Sequence, residues 1–289
     1  MQFRDAALSV VVITVIWGVF LGPLRATPPE TTLSVESAAA LAADVDRLVR
    51  TDRLVDAIPG LEALLAQNET NDYYLLLLAR AYGAAKRPAD AVPMWERFIE
   101  RSPVPLEACP DIGIQNLALS RPAAATNAFE RCLAFEPANT DNALRLAVSY
   151  ERGGQSEKAL ELYRKFAAAA PGYLDFSIGA ARLELRTGAL DAAHTRIARV
   201  VGSHADNSDA LLVLGMVLEQ RDDLVGAAAA LERGARLAPT DLDFYQILGR
   251  VAERRGKLDE ARRWYTELMT RDPTHVGGLA ALKRIGGGQ

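Results

Sequence analysis

Apolar and small residues recur along this chain with a period of 34 residues, and the pattern within each period is helical. Between residues 242 and 275, apolar residues at helical spacing form two groups, one before Gly256 and one after it. We therefore predict two amphipathic helices of about a dozen residues each. A turn at Gly256 joins them, and Asp272-Pro273 closes the unit. Each helix alone would be marginal in water, so stability should come from packing against neighbouring units.

An alanine at one fixed phase sets the register of the repeat. It recurs without interruption as Ala57, Ala91, Ala125, Ala159, Ala193, Ala227 and Ala261. Twelve residues before it, a small residue recurs as Ala79, Gly113, Ala147, Ala181, Gly215 and Gly249. Four residues after it, a larger residue recurs as Leu61, Trp95, Phe129, Tyr163, Ile197, Leu231 and Tyr265. We expect the small residues to allow close crossing of the two helices, and the larger residue to fill the wedge between one pair and the next.

This pattern resembles the tetratricopeptide repeat, which has the same period and the same small, alanine, aromatic and proline phases. The resemblance covers residues 38–275 as seven units, of which the first is degenerate, with Val45 at the small-residue phase. It implies an all-α fold, a right-handed solenoid of helical hairpins. An alanine-rich bundle would not keep seven alanines in phase. A pentatricopeptide array, which reads RNA, is disfavoured by the closing proline, and the net charge of −4 argues against a nucleic-acid partner.

Residues 1–25 are predicted to be a membrane anchor. An uncharged run from Ala6 to Leu24 would span about 28 Å as a helix, close to the thickness of the bilayer's hydrocarbon core. A cleaved signal peptide has a shorter apolar core and a small-residue cleavage site, which Leu24-Arg25-Ala26 does not supply. A short N-terminal tail before a large domain favours repeats outside the cytosol, in the periplasm of a bacterial cell. The charges flanking the run are nearly balanced, so the opposite orientation stays open.

Two short segments flank the repeats. Residues 26–37 are rich in Pro and Thr, which predicts an extended tether. Residues 276–289 predict a capping helix followed by a disordered glycine-rich tail, with Leu279, Leu282 and Ile285 on the face that covers the last unit.

We predict no catalytic, cofactor or metal site. His194, His204 and His275 occupy different phases of the repeat and have no partners at catalytic or metal-ligand spacing. The two cysteines, Cys109 and Cys132, belong to one unit, at the start of its first helix and near the end of its second. An antiparallel pair brings those ends together, so either a disulfide or two buried thiols would fit.

The resemblance implies that the first helices line a concave groove, with the second, fifth, ninth and twelfth positions of each unit facing inward. The candidate residues of this partner groove are Arg80, Ile114, Leu144, Val148, Ile178, Arg182, Leu212, Met216, Gln246 and Arg250. Aspartates at the second position (Asp141, Asp175, Asp209 and Asp243) are expected to cap helices. The Lys and Asn with which some family members clamp a terminal carboxylate are absent. An apolar track interrupted by arginines suits an amphipathic or extended peptide with acidic positions.

These features predict a membrane-anchored scaffold that binds protein or peptide partners through its groove, and its layout resembles that of cell-envelope assembly scaffolds. A self-assembling structural scaffold and a cytoplasm-facing adaptor are the alternatives. An enzyme would need converging ionisable groups, which the repeat phases do not supply.

Overall fold

A computed structural model describes residues 33–101 and 108–286, and these residues form fifteen α-helices and no strand. The first eight helices are α1 (Val35–Arg50), α2 (Ile58–Gln67), α3 (Asp72–Ala84), α4 (Pro88–Arg101), α5 (Ala108–Ala118), α6 (Pro122–Phe135), α7 (Thr140–Arg152) and α8 (Ser156–Ala169). The other seven are α9 (Leu174–Arg186), α10 (Leu190–Ser203), α11 (Ser208–Gln220), α12 (Leu224–Leu237), α13 (Leu242–Arg254), α14 (Leu258–Arg271) and α15 (Val276–Gly286). None of these helices is long and apolar enough to cross a bilayer, and the predicted anchor at residues 1–25 lies outside the described residues.

Consecutive helices pack against each other along the whole described chain, as the repeat period predicts. The first helices of neighbouring units also touch one another, as α9 does with α11 and α11 with α13. Among the described helices, no two second helices pack together to the same extent. The first helices therefore line the inner side of the curve and the second helices its outer side.

Six of the seven phased alanines lie in the second helices at the crossings, as predicted, and Ala57 ends a 3-10 turn that precedes α2. None has more than 1% of its surface exposed. The larger residue four positions later packs over the small residue of its own unit. A Cβ on Gly215 would overlap the side chain of Leu231, and one on Gly113 would overlap the ring of Phe129. Tyr163 also reaches the next unit, where a Cβ on Gly179 would lie 2.7 Å from its ring.

Asparagines cap alternate first helices. The side chains of Asn71, Asn139 and Asn207 accept hydrogen bonds from the backbone N–H three residues on, at 3.1, 2.9 and 2.8 Å. The prediction that the second-position aspartates would cap these helices was wrong. They lie inside the first turn, where a negative charge favours the positive end of the helix dipole.

The ends of the array differ in detail from the prediction. Helix α1 begins at Val35, inside the segment predicted as tether, because Ser34 accepts a hydrogen bond from the N–H of Ser37. Helix α15 forms as predicted and includes Gly286, but Leu279 is 42% exposed. Gly278 and Ala281 are the residues of α15 that are buried, with Leu282 and Ile285 half-buried against the last unit.

Candidate functional site

A cleft of about 480 Å³ opens on the inner face, between α7 and α9, with one residue each from α8 and α11. Four of the predicted groove residues line it, namely Leu144, Val148, Ile178 and Arg182. Its other lining residues are Glu151, Arg152, Tyr163, Asp175, Gly179, Arg186 and Asp209. Leu144 and Val148 are half-exposed, whereas Ile178 is only 2% exposed and belongs to the core. The apolar floor that a partner could touch is therefore carried by α7.

Two of the three arginines in this cleft are unpaired within the described part of the chain. Glu151 accepts a hydrogen bond from the hydroxyl of Tyr163 at 2.6 Å and forms an ion pair with Arg186 at 3.1 Å. Burial and the Glu151 carboxylate raise the pKa of Tyr163, so its hydroxyl stays a neutral donor. Arg182 makes no hydrogen bond or ion pair with any residue that the structure describes. Arg152 likewise has no such partner among the described residues, so the cleft presents two free guanidinium groups beside an apolar floor.

The cleft has opposite charges at its two sides. Asp175 and Asp209 stand in the first turns of α9 and α11, while Arg152, Arg182 and Arg186 lie in the second halves of α7 and α9. Since the first helices of the units run in parallel, the acidic and basic groups form two rows separated by the apolar floor.

Arg250 does not extend the row of free arginines. Its guanidinium donates to both carboxylate oxygens of Glu219 at 2.7 Å. Glu219 is 5% exposed, and its hydrogen bond raises the pKa of Arg250. A second link of this kind joins Glu253 to Arg284 at 2.6 Å. These ion pairs link one unit to the next. The feature of the sequence that could have predicted them is a glutamate that recurs at one phase of the repeat, at positions 151, 219 and 253.

The remaining groove residues lie apart from the cleft. The Arg80 guanidinium stands 3.8 Å from Asp111, whose pKa is raised by burial against the lowering effect of Arg80. Leu212 and Met216 are half-buried against the C-terminal core, and Ile114 against the core of α6 and α7. Gln246 faces α15, where a Cβ on Gly277 would lie 3.3 Å from its amide nitrogen.

Cys109 and Cys132 are free thiols in this structure, and each is 1% exposed. Burial and a hydrogen bond with Cys109 raise the pKa of Cys132. The two thiols therefore adjoin, as the antiparallel pairing requires, and the disulfide stays a prediction. Among residues 33–101 and 108–286, no group of three or more metal-ligand side chains comes together. His275 caps α15, since its Nδ1 accepts a hydrogen bond from the Gly278 N–H at 3.0 Å.

Sequence models of known families match several stretches of these hairpins. One model of the tetratricopeptide repeat matches residues 178–242 and 227–276, and another matches residues 73–103 and 141–173. The chain belongs to the tetratricopeptide repeat family.

Two curated tetratricopeptide repeat proteins are similar to parts of the chain. Tetratricopeptide repeat protein 8 of Caenorhabditis elegans is 25% identical over 227 residues, which are 75% of this chain and 43% of the relative. Tetratricopeptide repeat protein 7B of Homo sapiens is 41% identical over 59 residues, which are 20% of this chain and 7% of the relative. The chain therefore spans less than half the length of either relative.

Several solved structures share the fold. A repeat protein from Parabacteroides merdae superimposes with a TM-score of 0.69 at 13% identity, over 86% of this chain and 99% of that one. A thermophilic repeat protein from Thermus thermophilus gives 0.54 at 21% identity, over 63% and 98%. MamA from Desulfovibrio magneticus gives 0.51 at 16% identity, over 59% and 97%. At these identities the likeness concerns the fold alone.

Proposed function

We propose that this tetratricopeptide repeat protein is a scaffold that binds a segment of a partner protein in the cleft of α7 and α9. The observation that carries the proposal is the free guanidinium of Arg182 beside the half-exposed Leu144 and Val148. A cation without a partner at the edge of an apolar floor favours a segment that brings both an apolar anchor and a carboxylate.

The charge pattern narrows the kind of segment. An amphipathic helix lying in the cleft would place its apolar stripe on the floor, acidic residues toward Arg182 and basic residues toward Asp175 and Asp209. The reversed orientation would oppose like charges on both sides, which weakens an interface. The two charged rows thus favour one direction of binding.

Affinity capture with the full chain tests the proposal. Arg182→Glu should remove the partner from the captured set, since it reverses the free charge without breaking an ion pair. Arg199→Glu, a charge reversal on the exposed outer face of α10 in the same unit, is the matched control and should leave capture unchanged. Equal capture by both variants would contradict the assignment of the cleft.

We also propose that the scaffold is held at a membrane by residues 6–24, with its repeats outside the cytosol, and that it serves assembly of the cell envelope. The length and apolar character of that run support attachment, and attachment would raise the local concentration of repeats at the membrane. Carbonate extraction tests attachment: the full chain should stay in the membrane pellet, whereas Val11→Arg in the middle of the run should release it.

Protease digestion of intact spheroplasts tests the orientation. Digestion of the repeats by added protease, with a cytosolic protein spared, would support repeats outside the cytosol. Protection in intact spheroplasts with digestion after lysis would support a cytoplasm-facing adaptor.

Self-assembly is the second candidate. The last helix leaves Val276 80% exposed and Leu279 42% exposed at the end of the array, where another copy could add. Sedimentation of the full chain in detergent should then show oligomers that grow with concentration and disappear in Leu279→Glu. A strict monomer at all concentrations would exclude this candidate.

A further inference from the structure

A second cleft, of about 530 Å³, lies between α12 and α14 on the outer face, with α13 as its floor. Its lining includes Tyr245, Trp264, Arg236, Arg263 and Glu232. It is on the opposite side of the hairpins from the cleft of α7 and α9, so what it binds is independent of the function proposed above.

Trp264 is a large aromatic residue at a position where the repeat does not need one. The core aromatic of this unit is its neighbour Tyr265, which is 2% exposed. The six other units place Gly60, Met94, Ala128, Leu162, Arg196 and Ala230 at the phase of Trp264. Trp264 is half-buried, which leaves part of its ring facing the cleft.

The ring of Trp264 rests on a fixed support. Its centroid lies 6.2 Å from that of Tyr245, with 50° between the ring planes. Tyr245 is held in turn by the Arg271 guanidinium 4.3 Å from its ring and by a hydrogen bond from its hydroxyl to the Pro239 carbonyl at 3.1 Å. The aromatic surface is therefore preorganised, which lowers the entropy cost of binding to it.

The free polar groups around this surface are mainly donors. Among the described residues, the Trp264 indole N–H and the guanidinium groups of Arg236 and Arg263 have no hydrogen-bond or ion-pair partner. The carboxylates nearby are engaged: Glu260 by Arg255 at 3.5 Å and Lys257 at 3.4 Å, and Glu267 by Arg271. The one carboxylate of the lining without such a partner is that of Glu232.

We propose that this outer cleft docks an acidic proline-rich segment of a partner protein in the polyproline II conformation. Proline has no backbone N–H, and the carbonyls of a polyproline II helix make no internal hydrogen bonds, so such a segment offers acceptors to a site that offers donors. Its pyrrolidine rings stack on aromatic side chains. Acidic residues within it would pair with Arg236 and Arg263.

Other peptide conformations fit the same cleft less well. An α-helix uses its carbonyl groups in its own hydrogen bonds and would offer the indole N–H no backbone acceptor. An added β-strand needs a sheet edge, and the described part of the chain has no strand. In the equivalent cleft between α8 and α10, the buried Glu184 binds Arg164 at 2.9 Å and Arg196 at 2.9 Å, so both arginines are engaged. The equivalent cleft between α6 and α8, of about 450 Å³, is open but has Leu162 at the phase of Trp264. Among the described residues, the indole surface is therefore specific to the last two units.

Fluorescence anisotropy with the purified full chain tests the proposal. The probe is a fluorescein-labelled peptide, Pro-Pro-Glu-Pro-Pro-Glu-Pro-Pro, compared with a peptide of the same charge in which each proline is replaced by glycine. The proline peptide should bind saturably and the glycine peptide about tenfold more weakly or not at all. Equal binding of the two peptides would show that charge alone attracts them and would overturn the proposal, as would the absence of saturable binding.

Two variants locate the site and one serves as control. Trp264→Ala and Arg263→Glu should each weaken binding of the proline peptide by about tenfold, the first through the stacking surface and the second through charge. Arg263 is exposed, so its variant should keep the wild-type melting temperature even if Trp264→Ala does not. Phe135→Ala removes a 61% exposed aromatic residue from α6 and should bind as the wild type does. Wild-type affinity in Arg263→Glu and Trp264→Ala would overturn the assignment.

Discussion

Gly249 lies directly beneath the ring of Tyr265, and a Cβ on residue 249 would come within 2.6 Å of the ring's Cζ atom. The tyrosine hydroxyl donates to Glu253 at 2.5 Å, which fixes the ring above the glycine. Burial raises the pKa of Tyr265, as does its bond to Glu253, so the hydroxyl remains a donor. One glycine thus allows the close approach on which the last helix pair is built.

Gly249→Ala should therefore lower the free energy of unfolding by about 1–3 kcal/mol, because the added methyl group overpacks the crossing. Gly202→Ala is the matched control, since residue 202 is an exposed helical glycine with no atom within 4 Å of a Cβ. It should stabilise by up to about 1 kcal/mol through helix propensity. Urea denaturation measures the change in the free energy of unfolding for both variants. A change of the same sign in the two would contradict the packing described.

The same logic applies to the alanine ladder. Ala159 is fully buried, whereas Glu157 in the same helix is exposed. Ala159→Phe should destabilise by about 1–3 kcal/mol or more, and Glu157→Ala should change stability by less than about 0.5 kcal/mol. Similar losses of stability in thermal melts of the two variants would mean that the repeat register assigned here is wrong.

Repetition explains what could be predicted from sequence. A residue type that recurs every 34 positions indicates the same structural environment in each of the seven units. The pattern alone therefore placed Ala159 and its equivalents at the helix crossings. Spacing gives the face of a helix but not the direction of a side chain, so the pattern did not show that the ring of Tyr265 turns toward Gly249 of its own unit.

The groove was predicted less well than the fold. Arg250 shares its phase with Arg182, yet Glu219 of the preceding unit engages it. Glu151 stands 31 residues before Arg182, as Glu219 does before Arg250, but it binds Tyr163 and Arg186 instead. A phase count alone therefore could not separate a free arginine from a paired one. Trp264 was missed because it stands beside the core phase that Tyr265 occupies.

Glu184 should make stability depend on pH. Burial raises its pKa, but hydrogen bonds from Arg196 and Arg164 outweigh burial and bring the pKa below the ordinary value of 4.5. A carboxylate with a lowered folded-state pKa stabilises fully above its unfolded pKa, and this contribution is lost as pH falls through the folded value. Glu184→Gln should cost about 1.5–3 kcal/mol at pH 7, as expected for hydrogen bonds to a charged group.

Thermal melts across pH check this expectation. The gap in melting temperature between wild type and Glu184→Gln should narrow as pH falls below the unfolded pKa of the carboxyl group, whereas the exposed Glu157→Gln should follow the wild type throughout. A gap that stays constant down to pH 2 would show that the ion pairs contribute nothing.

The buried thiols should react slowly in the folded protein. Burial raises the pKa of Cys132 and keeps the thiol protonated, and the thiolate is the reactive form. Iodoacetamide should label neither cysteine in native protein and both in denatured, unreduced protein if the thiols are free. Absence of labelling after denaturation, restored by a reductant, would establish the bridge between Cys109 and Cys132 instead.

The most direct test of partner binding in the cleft of α7 and α9 is site-specific photo-crosslinking in cells. Benzoylphenylalanine at position 148 should yield a covalent adduct with a partner protein, and this adduct should disappear in Arg182→Glu. The same group at position 157, on the exposed surface of α8, should yield no such adduct. Adducts of equal yield at both positions, or an adduct at 148 that Arg182→Glu leaves unchanged, would contradict the account.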